Sequence, residues 1–132
     1  MNLNEYQEKA ARTINPQYHN DVALLQKLGI RVVDPNKFNR EFSKIIMLMG
    51  LAGEVGELME DFKHHYGHGM EKYPLDDSNV TKEQGDIMWY NAGLAKMRGV
   101  TLDEVGEENI QKLMRRYPNG YSSQASVERN DE

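Results

Sequence analysis

The stretch from Phe38 to His65 restricts the fold of this chain more than any other segment. Its apolar residues Phe42, Ile45, Ile46, Met49, Leu58 and Phe62 recur at helical spacing, the period that gathers side chains on one face of an α-helix. Gly67 and Gly69 close the segment, and Asp34-Pro35-Asn36 ahead of it is a turn or helix-start signal. The rest of the chain has the same character. A first helix is predicted after Asn2 or Asn4 and through Arg12; Asn15-Pro16 ends it, because proline disfavours a helical residue before it. A short helix is predicted from Asp21 to Leu28, stopped by Gly29. After a polar loop from Glu71 to Asn79, Thr81-x-x-Gln84 fits a capping box. The helix it opens turns Ile87, Met88, Leu94 and Met97 inward and stops before Gly99. Thr101-x-x-Glu104 is a second box, opening a last helix to about Arg116, and Tyr117-Pro118-Asn119-Gly120 is a turn.

No segment alternates as a β-strand does, and nothing repeats. The pattern predicts an all-α fold, a bundle of four to five helices joined by short loops. Residues 1–121 read as a single helical domain and residues 122–132 as a flexible C-terminal tail. With 132 residues, the core is small, and completion of the bundle by oligomerisation is expected.

The formal net charge of −5 argues against a nucleic-acid binder, which needs a basic face for phosphates. It leaves room for a single phosphorylated ligand, since bound cations can invert the local potential. There is no cysteine, which removes disulfides, thiolate metal sites and cysteine nucleophiles from consideration. Met1 to Glu5 show neither a basic start nor an apolar run, and Ile45 to Ala52 is far too short to span a bilayer. A cytoplasmic protein without membrane contact is expected.

The chemistry concentrates in two pairs of acids. Glu54 and Glu57 lie three residues apart, on one helix face, and Asp61 extends the stripe. Like charges so placed destabilise an isolated helix by roughly 0.2–0.5 kcal/mol per pair. Gly50, Gly53 and Gly56 interrupt the same helix, each about 1 kcal/mol worse than alanine. Such a helix breaks local rules where a bound dication would remove the repulsion and a glycine would admit a close neighbour. The next helix repeats the pattern with Glu83 and Asp86, and Tyr90 follows one turn on. Antiparallel packing would bring both pairs to one point. Oxygen ligands of this kind select Mg²⁺ or Mn²⁺ over zinc or copper. The bland reading is a solvated acidic stripe, with Glu83 in a first turn where the helix dipole alone favours an acid. The apolar setting of Glu54 and Glu57, between Met47 and Met59, speaks against it.

Gly50-Leu51-Ala52-Gly53-Glu54-Val55-Gly56-Glu57-Leu58, Glu83-Gln84-Gly85-Asp86-Ile87-Met88-Trp89-Tyr90 and Asn109 to Pro118 together resemble the MazG-like family of all-α nucleoside triphosphate pyrophosphohydrolases, from roughly Lys44 to Tyr121. The resemblance implies Mg²⁺-dependent hydrolysis of a nucleoside triphosphate at the α-phosphorus, giving the monophosphate and pyrophosphate. It implies Glu54, Glu57, Glu83 and Asp86 as catalytic metal ligands. Asn109 and Lys112, with Arg115 or Arg116, would meet the phosphates, and a homodimer or homotetramer is expected. The competing reading is a non-catalytic helical module that binds nucleotide or metal.

Other residues draw attention with less force. His64, His65 and His68 cluster at a helix end, and Asp61-x-x-His64 resembles half of a di-iron motif. The following helix lacks the matching Glu-x-x-His, so the cluster reads as a polar helix end or part of a substrate loop. Trp89 is a candidate for stacking on a base, weighed against a core or interface role. Tyr6, Gln7 and Thr13 are candidates for holding sugar or base. Met47, Met49, Met59, Met88 and Met114 read as core filling.

Overall fold

The computed structural model describes residues 1–14, 26–29, 31 and 34–129. Among them the chain forms α1 (Leu3–Ala11), α2 (Pro35–His68), α3 (Asp77–Arg98), α4 (Leu102–Arg116) and α5 (Ser123–Glu128), with no strand. The Asn15-Pro16 stop and most of the helix expected over Asp21–Leu28 lie outside the described residues.

Local capping chemistry sets most helix starts. Asn2 and Glu5 exchange side-chain and backbone hydrogen bonds at the head of α1, at 2.8 and 3.2 Å. Asp34 caps α2 by accepting from the Lys37 N–H at 3.0 Å, with Pro35 at the first helical position. Thr101 and Glu104 form the expected box on α4. At α3 the structure departs from the sequence reading. Asp76, not Thr81, is the cap: its carboxylate accepts from the Ser78 N–H at 2.9 Å. The helix therefore opens one turn early, and the Thr81 hydroxyl donates back to the Asp77 carbonyl at 2.7 Å. Glu83 consequently lies beyond the first turn of α3, where the dipole no longer accounts for an acid. Ser122 caps the six-residue α5 within the segment read as a tail.

The helices α2 and α3 form an antiparallel hairpin. Asp61, late in α2, accepts a hydrogen bond from Asn79, early in α3, at 2.7 Å. At the opposite end Gly50 lies under the ring of Tyr90, so close that a methyl group there would overlap it. Helix α1 lies across α3 and α4. The core where α1, α3 and α4 meet is built from Ala10, Ala92, Ala95 and Leu102, with Tyr6, Trp89, Val100 and Val105 against it. Gln7 is buried at this junction. Its amide donates to the carbonyls of Val100 at 2.9 Å and Ala92 at 3.4 Å, and its oxygen accepts from the Leu102 N–H at 3.2 Å. One side chain thus satisfies backbone groups at the α3–α4 corner that would otherwise be buried without partners.

The expected inward faces are only partly realised. Ser43 and Met47 are fully buried on α2, and Ala92, Gly93 and Ala95 form the buried surface of α3. Met49, Met59, Met88 and Met114 are exposed, so of the methionines read as core filling only Met47 fills the core. Ile45, Met49 and Phe62 likewise point out. The apolar period of α2 is shared between two faces, and among the described residues only one of them is covered.

Candidate metal centre

The hairpin brings the two acid pairs together. One carboxylate oxygen from each of Glu54, Glu57 and Glu83 lies within 4.8 Å of the other two. Asp86 stands close enough for its charge to act on both Glu54 and Glu83. Partial burial, followed by the charges of Glu57, Asp86 and Glu83, holds the Glu54 carboxyl above its ordinary range. Glu83 is raised in the same way, by burial first and then by Glu57, Asp86 and Asp61, with Lys82 opposing. Three acids elsewhere behave in the opposite manner. Glu41 and Glu60 are lowered by hydrogen-bonded lysines, Lys44 and Lys63, and Glu104 by the cap it makes with Thr101. The cluster therefore concentrates negative charge that the described residues leave uncompensated, Lys82 being the cation that acts on Glu83.

This donor set fits a hard divalent cation. Every ligand atom is a carboxylate oxygen, no thiolate or imidazole intrudes, and Glu57 is exposed, leaving room for water and phosphate oxygens. The acids ride on helices, and their neighbours lock those helices in place. Tyr90 packs over Gly50 one turn beyond Asp86. The Tyr6 hydroxyl donates to the Gly85 carbonyl at 3.3 Å, next to Asp86 in the chain. Burial, and then the charge of Asp86, raises the Tyr6 phenol.

Other candidates are placed elsewhere. The Trp89 indole N–H donates to the Thr13 hydroxyl oxygen at 2.6 Å, and its ring meets Tyr90 edge-on at 4.8 Å. Thr13 donates in turn to the Ala10 carbonyl at 2.8 Å. Tyr6, Gln7, Thr13 and Trp89 thus direct polar groups into helix contacts. Asn109 and Arg115 are exposed on α4 and Lys112 and Arg116 half-buried, and the charges that act on Glu54 and Glu83 come from α2 and α3. The sequence reading passed over Asn79, which fastens Asp61 beside the cluster. Its signal was its spacing: Asn79 precedes Glu83 by one turn as Asp61 follows Glu57 by one turn.

The profile of the MazG nucleotide pyrophosphohydrolase domain matches residues 42–121, spanning α2, α3 and α4 with all four acids. The chain belongs to this MazG family. It is 31% identical over 72 residues to the uncharacterized protein YpjD of Bacillus subtilis (strain 168), a match covering 54% of this chain and 65% of that protein. It is 36% identical over 75 residues to the Gene 37 protein of Mycobacterium phage L5, covering 54% of this chain and 64% of that protein. The chain thus spans less than two thirds of the length of either relative. No solved structure matches it. MazG membership implies hydrolase chemistry on nucleotides in general, and among the described residues no helix is long and apolar enough to cross a membrane.

Proposed function

We propose that this MazG domain is a Mg²⁺-dependent nucleoside triphosphate pyrophosphohydrolase, with Mn²⁺ as a possible substitute, drawing substrate from a cytoplasmic nucleotide pool. The observation that carries the reading is the convergence of Glu54 and Glu57 with Glu83 across the α2–α3 hairpin, Asp86 beside them. Water attacks the α-phosphorus and gives up a proton to solvent, a new P–O bond forms, the bond to the bridging oxygen breaks, and pyrophosphate leaves with that oxygen. Held by these four acids, Mg²⁺ would supply charge neutralisation for the triphosphate and activation of water. Without it, the acids and a polyanionic substrate repel each other. The half-buried Glu54 and Glu83 keep the geometry fixed, while the exposed Glu57 faces the side from which substrate arrives. Asn109, Lys112, Arg115 and Arg116 remain phosphate contacts on the family resemblance alone, and Tyr90 is proposed to meet phosphate from its place beyond Asp86.

The test is pyrophosphate release from a panel of ribo- and deoxyribonucleoside triphosphates, with Mg²⁺ and with chelator. Mg²⁺-dependent release from at least one of them is expected. Tight nucleotide binding without turnover would favour a non-catalytic module instead.

The uncovered face of α2 supports a homodimer. Ile45, Leu48, Ala52, Val55, Met59, Phe62 and Tyr66 follow one another at alternating intervals of three and four residues, and all are exposed. That is the spacing of a helix–helix seam. With Met49 beside it, the stripe exposes on the order of 800 Å², more than a typical monomer's largest apolar patch and close to one partner's share of a standard interface. It lies opposite the surface that meets α3, so a second copy would dock there without closing the acid cluster. Sedimentation should show a dimer, and Met59→Glu should shift it to monomer; a monomeric wild-type protein at micromolar concentration would refute the seam.

A further inference from the structure

The acid cluster has two ends along the hairpin, and they differ. Toward Gly50 the space is filled by the Tyr90 ring, with Trp89 and Tyr6 engaged by their own partners. Toward the α2–α3 loop there is a cavity of about 310 Å³, bounded by the last turns of α2, by residues 72–76 and by Asn79. Asp61 and Asn79, which line it, stand one helical turn from Glu57 and Glu83, or about 6 Å along the axis. An α-phosphate held at the acids would place its nucleoside within that reach.

The lining fits a flat, uncharged ring. Tyr73 and His64 stack with centroids 5.4 Å apart and planes 27° apart. The Tyr73 carbonyl lies 2.7 Å from His65 Nδ1, which ties the loop to the end of α2. Lys72 lies over the Tyr73 ring at 5.2 Å. Two carboxylates, Asp61 and Asp76, also line the space and disfavour a phosphate there. Asp61 and Asn79 are fixed to each other and offer a polar edge beside the aromatic wall. The volume sits at the lower limit of small-ligand sites, enough for one base.

We propose that this loop cavity receives the nucleobase of the substrate, with the stacked His64–Tyr73 pair as its aromatic wall and the Asp61–Asn79 pair as its polar edge. The assignment rests on the hydrolase reading above. Of the histidine cluster, His64 acts here as part of the wall of the base pocket.

The experiment compares wild type, Tyr73→Ala, Tyr73→Phe and Leu75→Trp across the nucleotide panel. Loss of the ring should raise KM roughly tenfold, the size of a lost base–aromatic stack, and flatten the ranking of bases, with kcat little changed. Tyr73→Phe, which keeps the ring, should restore both. Inhibition by inorganic triphosphate, which has no base, should be equal in wild type and Tyr73→Ala. Leu75→Trp, which fills the cavity, should raise KM as well, and covers the case in which Tyr73→Ala misfolds. An active wild type whose KM and base ranking survive both Tyr73→Ala and Leu75→Trp would overturn the pocket and leave the hydrolase standing. If wild type releases no pyrophosphate, the hydrolase reading fails and nucleoside monophosphate binding decides the pocket. A tenfold weaker Kd in Tyr73→Ala then supports it, while equal affinity or no binding overturns it.

Discussion

Glu83→Gln and Asp86→Asn will each lower turnover of the best nucleotide roughly a thousandfold, because a lost ligand removes several kcal/mol of transition-state charge stabilisation. Both variants will keep their helical circular dichroism. In the absence of divalent cations, Glu83→Gln will unfold at a higher temperature than wild type at pH 7. The reason is the raised carboxyl of Glu83, produced by burial and by Glu57, Asp86 and Asp61. A carboxyl whose folded pKa exceeds its unfolded value favours folding most when both states are protonated. As pH rises past the ordinary carboxylate value of about 4.3, the unfolded chain ionises first and stability declines until the folded group has ionised too. The stability advantage of Glu83→Gln should therefore shrink as pH falls from 7 toward 4. Mg²⁺ should raise the unfolding temperature of wild type by more than that of the variant. A variant that unfolds outright would make the acids structural, and an advantage independent of pH would deny charge repulsion as its cause.

The second large effect concerns two glycines of the same helix. Gly50→Val should lower the unfolding temperature by many degrees and disturb the acid cluster, since its side chain would occupy the space of the Tyr90 ring. Overpacking of this kind costs about 1–3 kcal/mol or more. Adding Tyr90→Ala should recover part of that loss, a non-additivity expected of residues in contact. Gly53→Ala should do the reverse and stabilise the protein by about 1 kcal/mol through helix propensity, because nothing lies within 4 Å of the added carbon. Thermal unfolding of these three variants and of Tyr90→Ala alone measures all of this; equal effects at Gly50 and Gly53 would deny Tyr90 its place over the helix.

These two glycines also mark where the sequence was legible and where it was not. Gly50 and Gly53 look alike on the page, both interrupting an acidic helix, and only the fold shows which of them admits a neighbour. The helix start at Thr101 was legible because a cap is decided within four residues, whereas Asp34-Pro35-Asn36 read equally as a turn until the fold showed Asp34 to be a cap. At α3 two caps compete, and Asp76 prevails by adding a further turn of backbone hydrogen bonds ahead of Thr81. The acids could be read because their spacing on each helix is local and antiparallel pairing follows from a short connection. The exposed side of α2 could not be sorted from its buried side, because periodicity reports that a face is apolar and says nothing about which chain covers it. The loop cavity had no sequence signature beyond its histidines and Tyr73, since it depends on a bend that brings residues 72–76 back over α2.

That bend separates two kinds of inheritance. Every acid of the candidate metal centre is fixed on α2 or α3, while residues 72–76, which line the neighbouring cavity, belong to neither helix except Asp76 as a cap. Substitution, insertion or deletion between Gly69 and Pro74 leaves the helical register of Glu54, Glu57, Glu83 and Asp86 untouched and remodels the cavity beside them. On the proposed reading, a lineage built on this hairpin can change what it accepts by editing a handful of loop residues, and keep its reaction.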